Sequence, residues 1–149
     1  MKTLFYSVQP EEKALVETKL AGRNDIVLID QSLSAATADK AEKFDAVCVT
    51  GTDDLSAHVL EALYKHGVRY ITIRAAHNHL CDLASASLLG MVVARVPMYA
   101  PDDGTTPPDA IEYMLDVTLY NLDCRRKDIF SGNELTRING QEKATIYYR

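Results

Sequence analysis

Five short apolar runs, separated by segments of helical spacing, set what this chain can fold into. KTLFYS (2–7), DIVLID (25–30), DAVCVTG (45–51), VRYITIR (68–74) and MVVARVP (91–97) are mainly apolar on both faces rather than strictly alternating. A strand that is apolar on both faces is covered on both faces, and helices between such strands imply parallel βαβ units. The intervening segments fit that role. Pro10 opens the first helix, with Ala14, Leu15, Thr18 and Ala21 on one face and Gly22 ending it. A second helical stretch is expected from Ala35 to Lys43. In DDLSAHVLEALYKHG, Asp53 or Asp54 is the expected N-cap, Leu55, Val59, Leu60 and Leu63 form the stripe, and Gly67 terminates. LCDLASASLLG (80–90) reads as a short helix. The pattern predicts a single α/β domain: a five-stranded parallel sheet flanked by helices, in flavodoxin-like order.

The character changes after residue 98. YAPDDGTTPPD (99–109) has loop composition, and Thr105 or Thr106 before Pro107-Pro108 suits an N-cap with proline in the first turn. From Pro108 to about Leu122, Ala110, Ile111, Met114, Leu115, Thr118, Leu119 and Leu122 recur at helical spacing, with Asp109, Glu112, Asp116 and Asp123 opposite. KATIYY (143–148) reads as one final strand. The 149 residues are therefore expected to form one domain, with an α/β core over 1–101 and a loop, amphipathic helix and tail over 102–149. The helix stripe has to fold back on its own sheet or pair with a second copy. A homodimer through Ile111, Met114, Leu115, Leu119 and Leu122 is the expectation.

Charge and composition exclude several classes of partner. A net charge of −5, with basic residues scattered apart from Arg125-Arg126-Lys127, provides no field for nucleic acid or an anionic membrane. There is no apolar run of about 18 residues to span a bilayer. MKTLFYSVQPEEK has no secretory pattern, and Cys48, Cys81 and Cys124 are odd in number and widely spaced. Reduced thiols and a cytoplasmic location are expected.

RAAHNHLCD (74–82) is the densest cluster of reactive side chains. His77, His79 and Cys81 stand at alternate positions, which extended backbone would present together to a metal. A structural zinc site wants a fourth ligand, and His58, His66 and Cys124 do not supply an obvious one, so no metal is expected. Cys81 at a helix start, beside two histidines, has the setting of a nucleophile on spacing alone. Cys48, inside an apolar strand, reads as a small buried hydrophobe. Asp53-Asp54 read as helix capping rather than a catalytic dyad, and Asp102-Asp103-Gly104 as a turn.

With these elements placed, Asp45 to Pro101 resembles the catalytic (substrate-binding) domain of the D-isomer-specific 2-hydroxyacid dehydrogenases, and Met1 to Phe44 more loosely so. The resemblance rests on DDLSAHVLEAL, the strand–Arg74–loop–Asp82-Leu83 pattern and VARVPMYAP. It implies that the loop after the fourth strand offers backbone N–H groups to a substrate carboxylate. Arg74, Ala75, Ala76, His77, Asn78 and, near the pocket, Tyr99 are then the candidate binding residues for a small 2-hydroxy or 2-oxo acid. His77 stands where the family has a glycine, so a closed or altered site is expected. Glu112 falls near the family's helical glutamate. The family's catalytic arginine, glutamate and histidine belong to a region not matched in these residues, so no catalytic residue is assigned. Of seven glycines none forms G-x-G-x-x-G, so NAD is expected only where a partner domain supplies its site. The implied function is a substrate-domain homologue, inactive as a dehydrogenase alone, that binds a small carboxylate or a protein partner. The alternative is one half of a split NAD-dependent enzyme completed by a separate NAD-binding chain.

Overall fold

The computed structural model describes residues 1–75, 81–96 and 108–135. Five strands, β1 (Thr3–Phe5), β2 (Ile26–Leu28), β3 (Ala46–Thr50), β4 (Tyr70–Arg74) and β5 (Val92–Arg95), form one sheet in the order β2-β1-β3-β4-β5. Every pair is parallel, with Leu4 opposite Val27 and Val47, and Ile71 opposite Val93. Helices α1 (Pro10–Lys19), α2 (Ala57–Lys65), α3 (Leu83–Leu88) and α4 (Pro108–Arg126) supply the layers. This is the expected flavodoxin-like architecture.

The two-residue period of the strands sorts side chains into two cores. Leu4, Val47, Val49, Ile71, Ile73 and Val93 pack on one face with Val59, Leu60 and Leu63 of α2 and Ala86 of α3. Phe5, Ala46, Cys48, Tyr70, Val92 and Ala94 pack on the other with Val16 of α1 and Leu115 and Leu122 of α4. Covering both faces is what makes continuous apolar runs stable as strands.

Several local expectations are corrected. In α1 the buried positions are Val16 and Leu20, while Ala14, Thr18 and Ala21 are exposed. Two branched aliphatics four apart bury more area than alanines, so they choose the face. Between Ala35 and Lys43 only a 3-10 turn forms, at Ala38–Ala41. There Thr37 Oγ1 accepts from Ser34 N (2.9 Å) and donates to Ser32 O (2.6 Å), local bonds that compete with a helix ladder. Helix α2 starts two residues late, with Ser56 as N-cap. Asp54 bonds Ser56 N at 2.8 Å, and Leu55 leaves the helix to bridge Cys81 in parallel. Asp53 is not the N-cap of α2 and is buried beyond the carboxyl end of β3.

Helix α4 runs one turn beyond Leu122. Of the five residues expected in a dimer contact, Leu115 and Leu122 are buried against the chain's own sheet, and Ile111, Met114 and Leu119 are half-buried. The stripe folds back on its own sheet at Leu115, Leu119 and Leu122. After α4 the chain returns to β5: Arg95 N donates to Asn133 O (2.9 Å), Leu135 N donates to Val93 O (2.6 Å), and Ala94 bridges Glu134 antiparallel. This contact, not anticipated from sequence, covers an edge strand. The strand expected at 143–148 and the turn at Asp102-Asp103-Gly104 lie outside the described residues. Among the described residues no helix is long and apolar enough to cross a membrane.

Candidate functional site

In an open parallel sheet, loops at the carboxyl ends of the strands gather chemistry, first of all where the strand order reverses. Here that reversal lies between β1 and β3. Its walls are the turn after β1, starting at Ser7, and the turn after β3, Thr50-Gly51-Thr52-Asp53. Asp53, 3% exposed, fills the space between them. Its Oδ1 accepts from Ser7 Oγ and Leu33 N, each at 2.7 Å, and its Oδ2 accepts from Thr50 N at 2.7 Å. Ser7 adopts a left-handed φ of 57°, an uncommon state for a side-chain-bearing residue. The crevice is thus sealed by a carboxylate that joins three loops. Tyr6 lies behind it and donates to Thr37 O at 2.8 Å. Burial, then the charges of Asp39 and Asp53, raises the Tyr6 phenol well above its ordinary range.

One strand further on, Arg74 ends β4 opposite Thr50 of β3. Its guanidinium turns to the α1 face, where Nη1 and Nη2 each lie 3.3 Å from the Glu12 carboxylate. The Arg74 side chain is 3% exposed and that of Glu12 is 12% exposed. The Phe5 ring lies 5.6 Å from the guanidinium carbon. The expected substrate contact of Arg74 therefore cannot use a free guanidinium in this arrangement; its charge is already engaged. Ala75 follows, buried, and a Cβ added at Gly51 would meet its Cβ at 3.6 Å, so the segments after β3 and β4 touch. Ala76, His77, Asn78 and His79, and Tyr99, lie outside the described residues.

Cys48 is buried beneath this point, and its thiol is pushed up to about 11 by burial, partly offset by Arg74. Cys81 does not have the electrostatics of a nucleophile. Burial and then the neighbouring Asp82 push its thiol up to about 11, the reverse of what a helix start alone suggests. Asp82 is the N-cap of α3 and accepts from Ser85 N at 2.9 Å, which holds its carboxyl below the usual range. Among the described residues no three His, Cys, Asp or Glu side chains are grouped to hold a metal. A separate cavity of about 470 Å³, lined by Val8, Pro10, Lys13, Leu28, Ile29, Asp30 and Gln31, opens on the β2 side of the reversal. Sequence reasoning missed Ser7, Glu12 and the true role of Asp53. Glu12 was detectable as the N3 partner of Gln9 in a capping box, and its reach to Arg74 was not.

The fold defines a flavodoxin-like α/β domain in which the segments after β3 and β4 meet at the carboxyl edge of the sheet. The chain belongs to the D-isomer specific 2-hydroxyacid dehydrogenase family: the model of that family's catalytic domain matches residues 3–104. It is 40% identical over 103 residues to D-lactate dehydrogenase of Escherichia coli (strain K12), covering 68% of this chain and 31% of that protein. It is 37% identical over 106 residues to 2-hydroxyacid dehydrogenase A of Aspergillus oryzae, covering 68% of this chain and 30% of the relative. The apo structure of the Escherichia coli D-lactate dehydrogenase superposes with a TM-score of 0.62 at 32% identity, over 86% of this chain and 39% of that one. The chain spans about a third of the length of these curated relatives.

A D-lactate dehydrogenase from Lactobacillus jensenii, with a TM-score of 0.57 at 26% identity over 87% of this chain and 40% of that one, is described as a complex with NAD+. The described residues do not fit that cofactor. Where a dinucleotide-binding turn would need glycines and free N–H groups, the turn after β1 offers Pro10 at the helix start, Glu11 and Glu12 in its first turn, and the Asp53 carboxylate behind it.

Proposed function

We propose that this domain binds a small 2-hydroxy or 2-oxo carboxylate at the carboxyl edge of its sheet and transfers no hydride by itself. The resemblance that the family match supports implies Arg74, Ala75, Ala76, His77, Asn78 and Tyr99 as the carboxylate's contacts, of which Arg74 and Ala75 are among the described residues. The observation that carries this reading is the position of Arg74-Ala75 at the carboxyl end of a central parallel strand, against Gly51, in a segment matched to D-lactate dehydrogenases. With the Arg74 guanidinium held by Glu12, recognition of an anion falls to main-chain dipoles. His77 stands where the family has glycine. NAD, where it takes part, comes from another domain or chain. The setting is cytoplasmic, with all three thiols reduced; each is a free cysteine in the structure.

Thermal melting with oxamate, pyruvate and D-lactate tests the binding claim. A ligand at ten times its Kd adds about 1.4 kcal/mol by mass action, which in a domain of this size raises Tm by roughly 3–5 °C. No rise at about 10 mM of any of the three refutes the carboxylate site. NADH consumption with pyruvate by the purified chain would refute the second half of the proposal.

A further inference from the structure

We infer that Glu12 and Arg74 are a positioning pair that sets the direction in which the backbone leaves β4, an inference that rests on the carboxylate-binding reading and deepens it. Arg74 is the last residue of β4, and its guanidinium reaches across 62 sequence positions to the first turn of α1. Both contacts are 3.3 Å, longer than the about 2.7–2.9 Å of a tight charge-assisted bond. Two charges buried at that distance recover little more than their desolvation cost, and an apolar pair of similar volume would serve stability as well. Arg74 Nε is in addition buried without a hydrogen-bond partner, a further cost. Local conflicts of this kind collect where a site needs defined geometry.

What the pair supplies is direction. Glu12 Oε1 accepts both Arg74 Nη2 and the Gln9 N–H, the latter at 3.1 Å, so one carboxylate ties the turn after β1 to the end of β4. The Phe5 ring fixes the guanidinium from the sheet side. Asp53 performs the matching task between the turns after β1 and β3. The backbone entering the carboxylate segment at Ala75 is thereby held by α1 through Arg74. Neither residue touches the ligand.

The double variant Glu12→Leu/Arg74→Met removes both charges and keeps apolar bulk. It is expected to melt within a few degrees of wild type, yet to bind oxamate at least about tenfold more weakly in calorimetric titration, because preorganisation is lost. Amide exchange at Ile73 and Ala75 should quicken at least about tenfold, with Val47 and Val59 unchanged. Were the pair merely structural, a double variant of wild-type Tm would bind oxamate as wild type does, and that result overturns the inference. A wild-type chain that binds no oxamate removes the carboxylate reading, and the exchange rates then decide alone. Unchanged exchange overturns the inference; faster exchange confined to the end of β4 upholds it. If the double variant fails to fold, Arg74→Lys, which keeps the cation and loses the fork, is measured by the same criteria.

Discussion

The Asp53→Ala substitution tests most directly how the carboxyl edge is held. Asp53 is 3% exposed and accepts three bonds at 2.7 Å, two of them from backbone N–H groups. Removing the acceptor leaves the Leu33 and Thr50 N–H groups buried and unpaired. Each such loss costs about 1–3 kcal/mol. Allowing for partial relaxation and non-additivity, the total is about 3–5 kcal/mol, a large part of the roughly 5–15 kcal/mol available to a domain. With an m-value near 2 kcal/mol/M, the urea midpoint should fall by about 2 M. Asp53→Asn keeps an acceptor for Ser7 and Leu33 but turns an amide N–H₂ toward the Thr50 N–H, so it should fall about half as far. Equilibrium urea unfolding followed by far-UV circular dichroism reads both. A midpoint loss below about 0.5 M for the alanine variant, under about 1 kcal/mol, would refute the view that this carboxylate closes the strand-order reversal.

Three further outcomes are expected. Tyr70, 2% exposed, has a hydroxyl without a hydrogen-bond partner. Tyr70→Phe should therefore leave stability unchanged or raise it by up to about 1 kcal/mol, and a loss beyond that in the same urea assay would show that the hydroxyl is satisfied. Cys48 and Cys81, both pushed up to about 11, carry only about 0.1% thiolate at pH 8. Iodoacetamide should label Cys81 roughly a hundredfold more slowly than a free cysteine whose pKa is near 9, and labelling at the free rate rejects the burial argument. Arg23 bridges Asp25 at 3.1 Å and Asp123 at 3.0 Å, and its hydrogen bond is the first cause holding the Asp25 carboxyl below the usual range. A carboxyl depressed by folding stabilises at pH values above its ordinary titration and loses that contribution as pH falls through the folded value. Asp25→Asn should cost under about 1 kcal/mol at pH 7, less at 1 M salt, and nothing once acid has protonated the group. A gap between the variant and wild type that persists at pH 2 contradicts this.

How much was readable in advance differs from place to place along the chain. The strands were legible because β3, β4 and β5 are buried on both faces, and burial on both faces writes itself as an unbroken apolar run. Helix α2 was legible in its stripe, Val59, Leu60 and Leu63, and misread at its start, because Asp53 has the composition of a cap while its carboxylate is claimed by Ser7 and Leu33. The turn at Ala38–Ala41 was misread as a helix because Ser34 and Thr37 can bond locally, a choice between two ladders that periodicity does not register. The family match over residues 3–104 agrees with the resemblance read from Asp45 to Pro101. The site was legible only as a segment. Arg74 was legible as the end of a strand, and the partner of its side chain was not, since Glu12 lies 62 positions away.

The order of apolar runs and helical segments settled by itself that this chain forms a parallel α/β sheet, since period and burial are local properties of the residues. Family membership followed from short motifs in register. Tertiary structure alone decided which charges meet. Asp53 and Glu12 are ordinary acidic residues in sequence, one after a strand and one in a helix's first turn. Folding brings Asp53 against Ser7, Leu33 and Thr50, and Glu12 against Arg74, and buries both contacts. A buried charge keeps only the partners that the packing of three separate loops places within reach, and no spacing along the chain encodes that distance.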